Sequence, residues 1–218
     1  MTSAMAVVPK IIAYIGPMFA DKTNDLIRMY DKYSKKVSNV VAIKPDIDTR
    51  YTGTARLIRS HTKRTIPATL VAKDRLMEDF ASKVREGSVV LIDEGQFFSN
   101  LMSACLHLKY NLKCRVYVAC LSATATMEPW PEVVDLLTVA DTKSDHYATA
   151  CAKCGKPNAP FTQCKAAPGD SVVRIGGADL YESVCGDCHF GLQLSVVALR
   201  NKWGPKDAVP AKKLLQDE

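Results

Sequence analysis

The sequence predicts an α/β protein: a parallel sheet with helices on both faces, and a small cysteine-bearing lobe appended to it. Three observations lead there. Apolar runs of strand length alternate with amphipathic segments over the first two thirds of the chain. The first run ends in a glycine-led loop closing in Lys22-Thr23. Two Cys-x-x-Cys pairs follow late in the chain.

The first strand is Ile11, Ile12, Tyr14 and Ile15, followed by Gly16-Pro17-Met18-Phe19-Ala20-Asp21-Lys22-Thr23. A strand, loop and helix in that order aim backbone N–H groups and the helix dipole at one anion. Gly16, Met18, Phe19, Asp21, Lys22 and Thr23 are thus candidates for a nucleotide's phosphates, Lys22 for the β/γ-phosphates and Thr23 also for Mg²⁺. The usual pattern has glycine where this chain has Asp21. A carboxylate about 4 Å from a phosphate charge is repelled by roughly 4 kcal/mol at an effective dielectric of 20; one pointing away costs far less.

Residues 24–38 follow as a helix that can bury Leu26, Ile27, Met29 and Tyr30, and residues 40–44 as a second buried strand. Residues 45–51 leave the strand, and residues 52–65, polar and basic, read as a loop. A helix is expected over residues 74–85, ended by Gly87, then a continuous apolar strand at residues 89–93. A helix over residues 101–110, a strand at residues 114–121 and a short helix at residues 131–137 complete the alternation. The boundaries expected are a nucleotide-binding domain at residues 1–147, a metal lobe at 148–192, and a C-terminal helix with a flexible tail at 193–218.

Ligands of such sheets bind at the carboxyl ends of the strands. There the second strand delivers Asp48 and Arg50, and the third delivers Asp93, Glu94, Gln96, Phe97 and Phe98. An apolar strand ending in Asp is the expected partner of a phosphate loop, organising Mg²⁺ and its waters. Glu94 is the candidate general base for a hydroxyl attacking the γ-phosphorus. The plainer alternative is that Asp93 and Glu94 cap the next helix.

Cys151-x-x-Cys154 and Cys185-x-x-Cys188 each let one turn present two thiolates to a tetrahedral ion, so a structural zinc site is expected. His189 is a possible substitute ligand, and Cys105, Cys114, Cys120 and Cys164 read as core or surface thiols. The 218 residues carry a net charge of +6 from scattered Lys and Arg, which suits anionic ligands without calling for nucleic acid. With no signal-peptide pattern and no stretch of about 20 apolar residues, a cytoplasmic location and no membrane partner are expected.

Between the cysteine pairs lies Ile175-Gly176-Gly177-Ala178-Asp179, leading to Tyr181 and Val184-Cys185. Together with Gly16-Pro17-Met18-Phe19, Asp48-Thr49-Arg50-Tyr51, Asp93-Glu94-Gly95-Gln96-Phe97-Phe98 and the cysteine pairs, it makes the chain resemble the zinc-containing, cellular-type thymidine kinases over roughly residues 11–190. The resemblance implies a P-loop domain for ATP and Mg²⁺ and a zinc lobe whose lasso loop closes over the nucleoside. It places Arg50 and Asp48 near the phosphates and metal, and Glu94 against the 5′-hydroxyl of thymidine or deoxyuridine. Met18, Phe97, Phe98, Leu121, Ala125, Trp130, Thr162 and Tyr181 would form the nucleoside pocket. It further implies a homo-oligomer, commonly a tetramer, or pairing with a second kinase domain.

The segment Leu121-Ser122-Ala123-Thr124-Ala125 departs from the family's Leu-Asp-Gly-Thr-Phe, losing an aromatic wall, while Trp130 stands where the family has Phe. With Asp21, this leaves a second class of function open: a non-catalytic relative with a structural or regulatory role.

Overall fold

The computed structural model describes residues 7–48, 56–165 and 175–191. Arg50 and the tail at residues 193–218, for which expectations were given above, lie outside them.

The chain runs β1 (Lys10–Gly16), α1 (Lys22–Ser34), β2 (Val40–Pro45), β3 (Leu57–Arg59), β4 (Thr65–Pro67), β5 (Thr69–Val71), β6 (Val89–Ile92), α2 (Leu101–Leu106), β7 (Arg115–Leu121), α3 (Pro131–Val139) and β8 (Thr142–Asp145). Six strands form one parallel sheet in the order β5-β2-β6-β7-β1-β8. Successive residues face opposite sides. Ile11, Ala13, Ile15, Val90, Ile92, Val116, Val118 and Cys120 enter one core with Leu101, Ala104 and Cys105 of α2 and Val133 and Leu136 of α3. Ile12, Val89, Leu91, Tyr117 and Ala119 enter the other with Leu26, Ile27 and Tyr33 of α1. Because both faces are covered, the central strands read as continuous apolar runs, and each fully buried aliphatic contributes about 1.5 to 3 kcal/mol.

Several elements differ from expectation. Helix α1 starts at Lys22 and stops at Ser34, short of residue 38. Ser34, Lys35 and Lys36 are exposed and give it nothing to bury, and the chain turns as Lys36 N–H and Val37 N–H both donate to Tyr33 C=O. Residues 57–67, expected largely as loop, form the antiparallel hairpin β3–β4, whose paired Ile58 and Ile66 are buried in the second core. The helix expected at residues 74–85 is a π-turn at Leu76–Phe80 passing into a 3-10 turn at Ala81–Lys83, which puts Leu76, Phe80 and Ala81 into the first core. Helix α2 likewise ends in a π-turn at His107–Asn111. Strand β8 was not foreseen, since Thr-Lys-Ser-Asp has no apolar pattern and pairs at the sheet edge through its backbone.

After β8 come two antiparallel hairpins, β9 (Ala148–Ala150) with β10 (Pro157–Ala159) and β11 (Phe161–Cys164) with β12 (Tyr181–Val184), then the short α4 (Gly186–Phe190). Among the described residues their core is Ala148, Cys151, Ala159, Val184 and Cys185, edged by Phe161 and Cys188. Among the described residues no helix is long and apolar enough to cross a membrane.

Candidate functional site

The loop after β1 turns through two left-handed residues, Phe19 (φ 61°) and Asp21 (φ 58°), before α1 begins. Asp21 thus keeps the positive φ that glycine adopts freely and aspartate tolerates. Its side chain is exposed, and its Oδ1 accepts a 2.8 Å hydrogen bond from Asn24 Nδ2. Lys22 is buried, and its Nζ donates to the Gly16 and Pro17 carbonyls, arching over the loop. Thr23 Oγ1 donates to Asp93 Oδ1 at 3.2 Å, so the first helical turn meets the end of β6 as expected.

Asp93 is buried, and Glu94 follows in a left-handed conformation (φ 52°, ψ 43°) with no side-chain capping bond. The capping alternative for Glu94 therefore fails. That turn needs Gly95: a Cβ there would lie 2.6 Å from Val118 Cγ1 and 2.8 Å from Cys120 Sγ. Buried Gln96 holds Glu94, its Nε2 donating to Glu94 Oε2 at 2.6 Å while its Oε1 accepts from Leu121 N–H at 3.1 Å.

Two cavities meet at these residues. One is polar, lined by residues 18–24 together with Arg59, Ser60, His61, Glu94 and Leu121. The other is mainly apolar, with Met18, Phe97, Leu121, Ala125, Trp130, Thr162 and Tyr181 on its walls beside Asp48 and Glu94. Met18, Glu94 and Leu121 border both. Seven of the eight expected nucleoside residues thus line one cavity. Phe98 does not: it is 0% exposed within the first core, because the strand-like residue after the Gly95–Phe97 turn points back into the sheet. Asp48, expected near the metal, lines the apolar cavity, held by buried Lys44, whose Nζ is 3.5 Å from Asp48 Oδ2. Trp130 stands edge-on to Phe97, ring centres 5.5 Å apart, and closes the wall that Ala125 leaves low.

The backbone of one residue, Met18, ties the loop to the cysteine lobe. Met18 N–H donates to Thr162 Oγ1 at 3.0 Å, and Ser183 Oγ donates to Met18 C=O at 2.6 Å. Thr162 and Ser183 are buried cross-strand partners on β11 and β12.

The sulfurs of Cys151, Cys154, Cys185 and Cys188 lie within 4.8 Å of one another and could hold a metal ion. Burial raises the Cys151 thiol, but hydrogen bonds from the Cys185, Cys154 and Lys153 backbone outweigh it and bring its pKa to about 6. Hydrogen bonding to Cys154, with burial, pushes Cys188 to about 12. Four such thiols ionise together only around a cation, which is what a tetrathiolate metal site supplies. His189 stacks on Phe161 instead of joining them, with ring centres 5.3 Å apart. Cys105, Cys114 and Cys120 are core thiols as expected, and all eight cysteines are free.

Sequence reasoning missed Asn24, Arg59, Ser60, His61 and Ser183, and placed Gln96 at the site without a role. Arg59, Ser60 and His61 lay inside the basic run read as loop, where the isolated apolar pair Leu57-Ile58 was the available signal.

Fold and site define a class: a parallel α/β protein whose strand–loop–helix cavity adjoins an apolar cavity closed by a four-cysteine lobe. Residues 9–189 match the family model described as thymidine kinase. The thymidine kinase of Myxoma virus (strain Lausanne) is 32% identical over 176 residues, covering 81% of this chain and 93% of that protein. That of Aster yellows witches'-broom phytoplasma (strain AYWB) is 32% identical over 177 residues, covering 80% and 83%. That of Variola virus is 34% identical over 175 residues, covering 80% and 93%. The chain belongs to the thymidine kinase family.

Proposed function

We propose that the protein transfers the γ-phosphoryl group of ATP to the 5′-hydroxyl of thymidine or deoxyuridine. The observation that carries this reading is the position of Glu94 on the shared border of the two cavities, where an acceptor hydroxyl would meet a phosphate. ATP phosphates occupy the polar cavity, against the loop backbone and Lys22; Arg50 is assigned to the same phosphates by family resemblance. Thr23 and Asp93 hold Mg²⁺, which when bound neutralises charge on the transferring group. The base lies in the apolar cavity between Met18, Phe97, Trp130, Thr162 and Tyr181. Glu94, oriented by Gln96, takes the hydroxyl proton as O5′ bonds to the γ-phosphorus and the bridging oxygen leaves with ADP.

The thiolates of Cys151, Cys154, Cys185 and Cys188 hold zinc as a structural ion. The homo-oligomeric state, a tetramer by family resemblance, and a cytoplasmic location belong to the same proposal.

The test is a thymidine phosphorylation assay with ATP·Mg²⁺ on the wild type and Glu94→Gln, with thymidine binding followed by calorimetry. Thymidine monophosphate should form, and Glu94→Gln should lower kcat by about 10² to 10⁴ with thymidine still bound. Undiminished turnover in the variant overturns the role of Glu94. A wild type that binds neither ligand overturns the reaction.

A further inference from the structure

The acidic residue in the phosphate loop invites reading as a lesion, and its surroundings argue otherwise. Asp21 Oδ1 accepts from Asn24 Nδ2 at 2.8 Å, and Asn24 Oδ1 accepts from Thr62 Oγ1 at 3.0 Å. Having given its only proton to Asn24, Thr62 Oγ1 accepts from Ser60 Oγ at 2.9 Å. Asn24 itself is 6% exposed. Thr62 and Ser60 sit in the turn between β3 and β4. Two further contacts press that turn onto the same elements: Phe19 packs on the His61 ring, centres 4.7 Å apart, and Arg64 pairs with Asp31 of α1. The hairpin therefore forms the far wall of the polar cavity and brings Arg59, Ser60 and His61 to it. Arg59 closes β3, next to Ser60 in the chain of hydrogen bonds.

Charge makes the arrangement intelligible. The cavity wall carries two carboxylates, Asp21 and Glu94, against Lys22. Arg59 adds a cation to that wall, and a guanidinium presents a fork of donors matched to phosphate oxygens. The chain from Asp21 to Ser60 ends beside that cation.

We propose that Asp21 is a positioning residue whose carboxylate, through Asn24 and Thr62, docks the β3–β4 hairpin on the phosphate loop so that Arg59 contacts the nucleotide's phosphates. This rests on the reading of the polar cavity as the ATP phosphate site.

The experiment uses the zinc-loaded full chain, with ATP·Mg²⁺ binding by calorimetry and steady-state kinetics at saturating thymidine. Restoring the glycine of the usual pattern, Asp21→Gly, should weaken ATP binding about tenfold, the scale of one charged hydrogen bond. The loss should fall on KM for ATP rather than on kcat. Asp21→Asn, which keeps an acceptor oxygen for Asn24, should recover most of that loss. Arg59→Ala should weaken ATP binding by about 10- to 100-fold with its melting temperature retained, and the Asp21→Gly/Arg59→Ala double variant should bind no worse than Arg59→Ala alone. Asp21→Gly binding ATP as tightly as the wild type, or tighter, overturns the proposal, as do losses that multiply in the double variant. ATP binding with this pattern but no thymidine phosphorylation sinks the proposed reaction and leaves the role of Asp21 standing. No ATP binding in any variant sinks both.

Discussion

Gly95→Ala should be far more damaging than the loss of one hydrogen atom suggests. Gly95 has no positive φ, so an added methyl meets a packing clash and no backbone strain. Its absent Cβ would stand 2.6 Å from Val118 Cγ1, 2.8 Å from Cys120 Sγ and 3.4 Å from Leu101 Cδ2. Val118 and Cys120 are fully enclosed between β6, β1 and α2, and none of these neighbours is a flexible chain end. The turn must therefore lift, at an overpacking cost of about 1 to 3 kcal/mol. Lifting it carries Glu94 and Gln96 away from Leu121, and a 1 Å misplacement of a catalytic group costs about 10²-fold. The assay pairs urea denaturation with kcat for thymidine. Gly177→Ala serves as control, since its Cβ would meet only Asp179 Oδ1 at an ordinary 3.5 Å. Wild-type stability and kcat in Gly95→Ala would refute the claim that the close contact fixes Glu94.

Two further outcomes are expected. Removing metal with a chelator, or Cys154→Ser, should unfold the lobe first, read as loss of hydrogen-exchange protection in residues 148–191 while the sheet strands stay protected; simultaneous loss in both would show one cooperative unit. Burial, reinforced by the Lys22 charge and opposed by Asp25, holds the His146 pKa below its usual 6.5. The unfolded chain then binds more protons between the two pKa values, so stability is retained above about 6.5 and falls as pH drops through the lower, folded value. The loss is about 1.4 kcal/mol for each unit separating the two. His146→Gln should flatten this in thermal melts from pH 5 to 8.

What was legible in the sequence is what repeats or is covalently local. Strands β1, β6 and β7 are buried on both faces and announce themselves as apolar runs. The cysteine pairs carry their spacing in the chain, and Thr23 and Asp93 were expected together because strand ends converge in a parallel sheet. Phe98 misled because residue type suits both a nucleoside wall and a core, and only the turn at Gly95–Phe97 decides which way it faces. β8 and the β3–β4 hairpin are held by backbone pairing and a few apolar contacts under polar side chains, so composition hides them. Asn24 meets a partner 38 positions away and Gln96 holds one two positions back around a turn, relations no local pattern expresses.

The lobe's small core bears on the phosphate loop through Met18. The five residues buried there among those described cannot hold two hairpins in register alone, so the cysteine cluster must fix where β11 and β12 lie. Those strands present Thr162 and Ser183 as one rung, and that rung takes both the N–H and the C=O of Met18. Met18 borders both cavities. Losing the rung leaves two backbone groups without their partners, about 1 to 3 kcal/mol for each that stays buried. A cluster remote from the reacting atoms thereby governs the loop that faces them. Thr162→Val should accordingly weaken both ATP and thymidine binding while Cys151, Cys154, Cys185 and Cys188 still hold metal. Binding losses confined to thymidine would show that Thr162 touches the base without setting the loop.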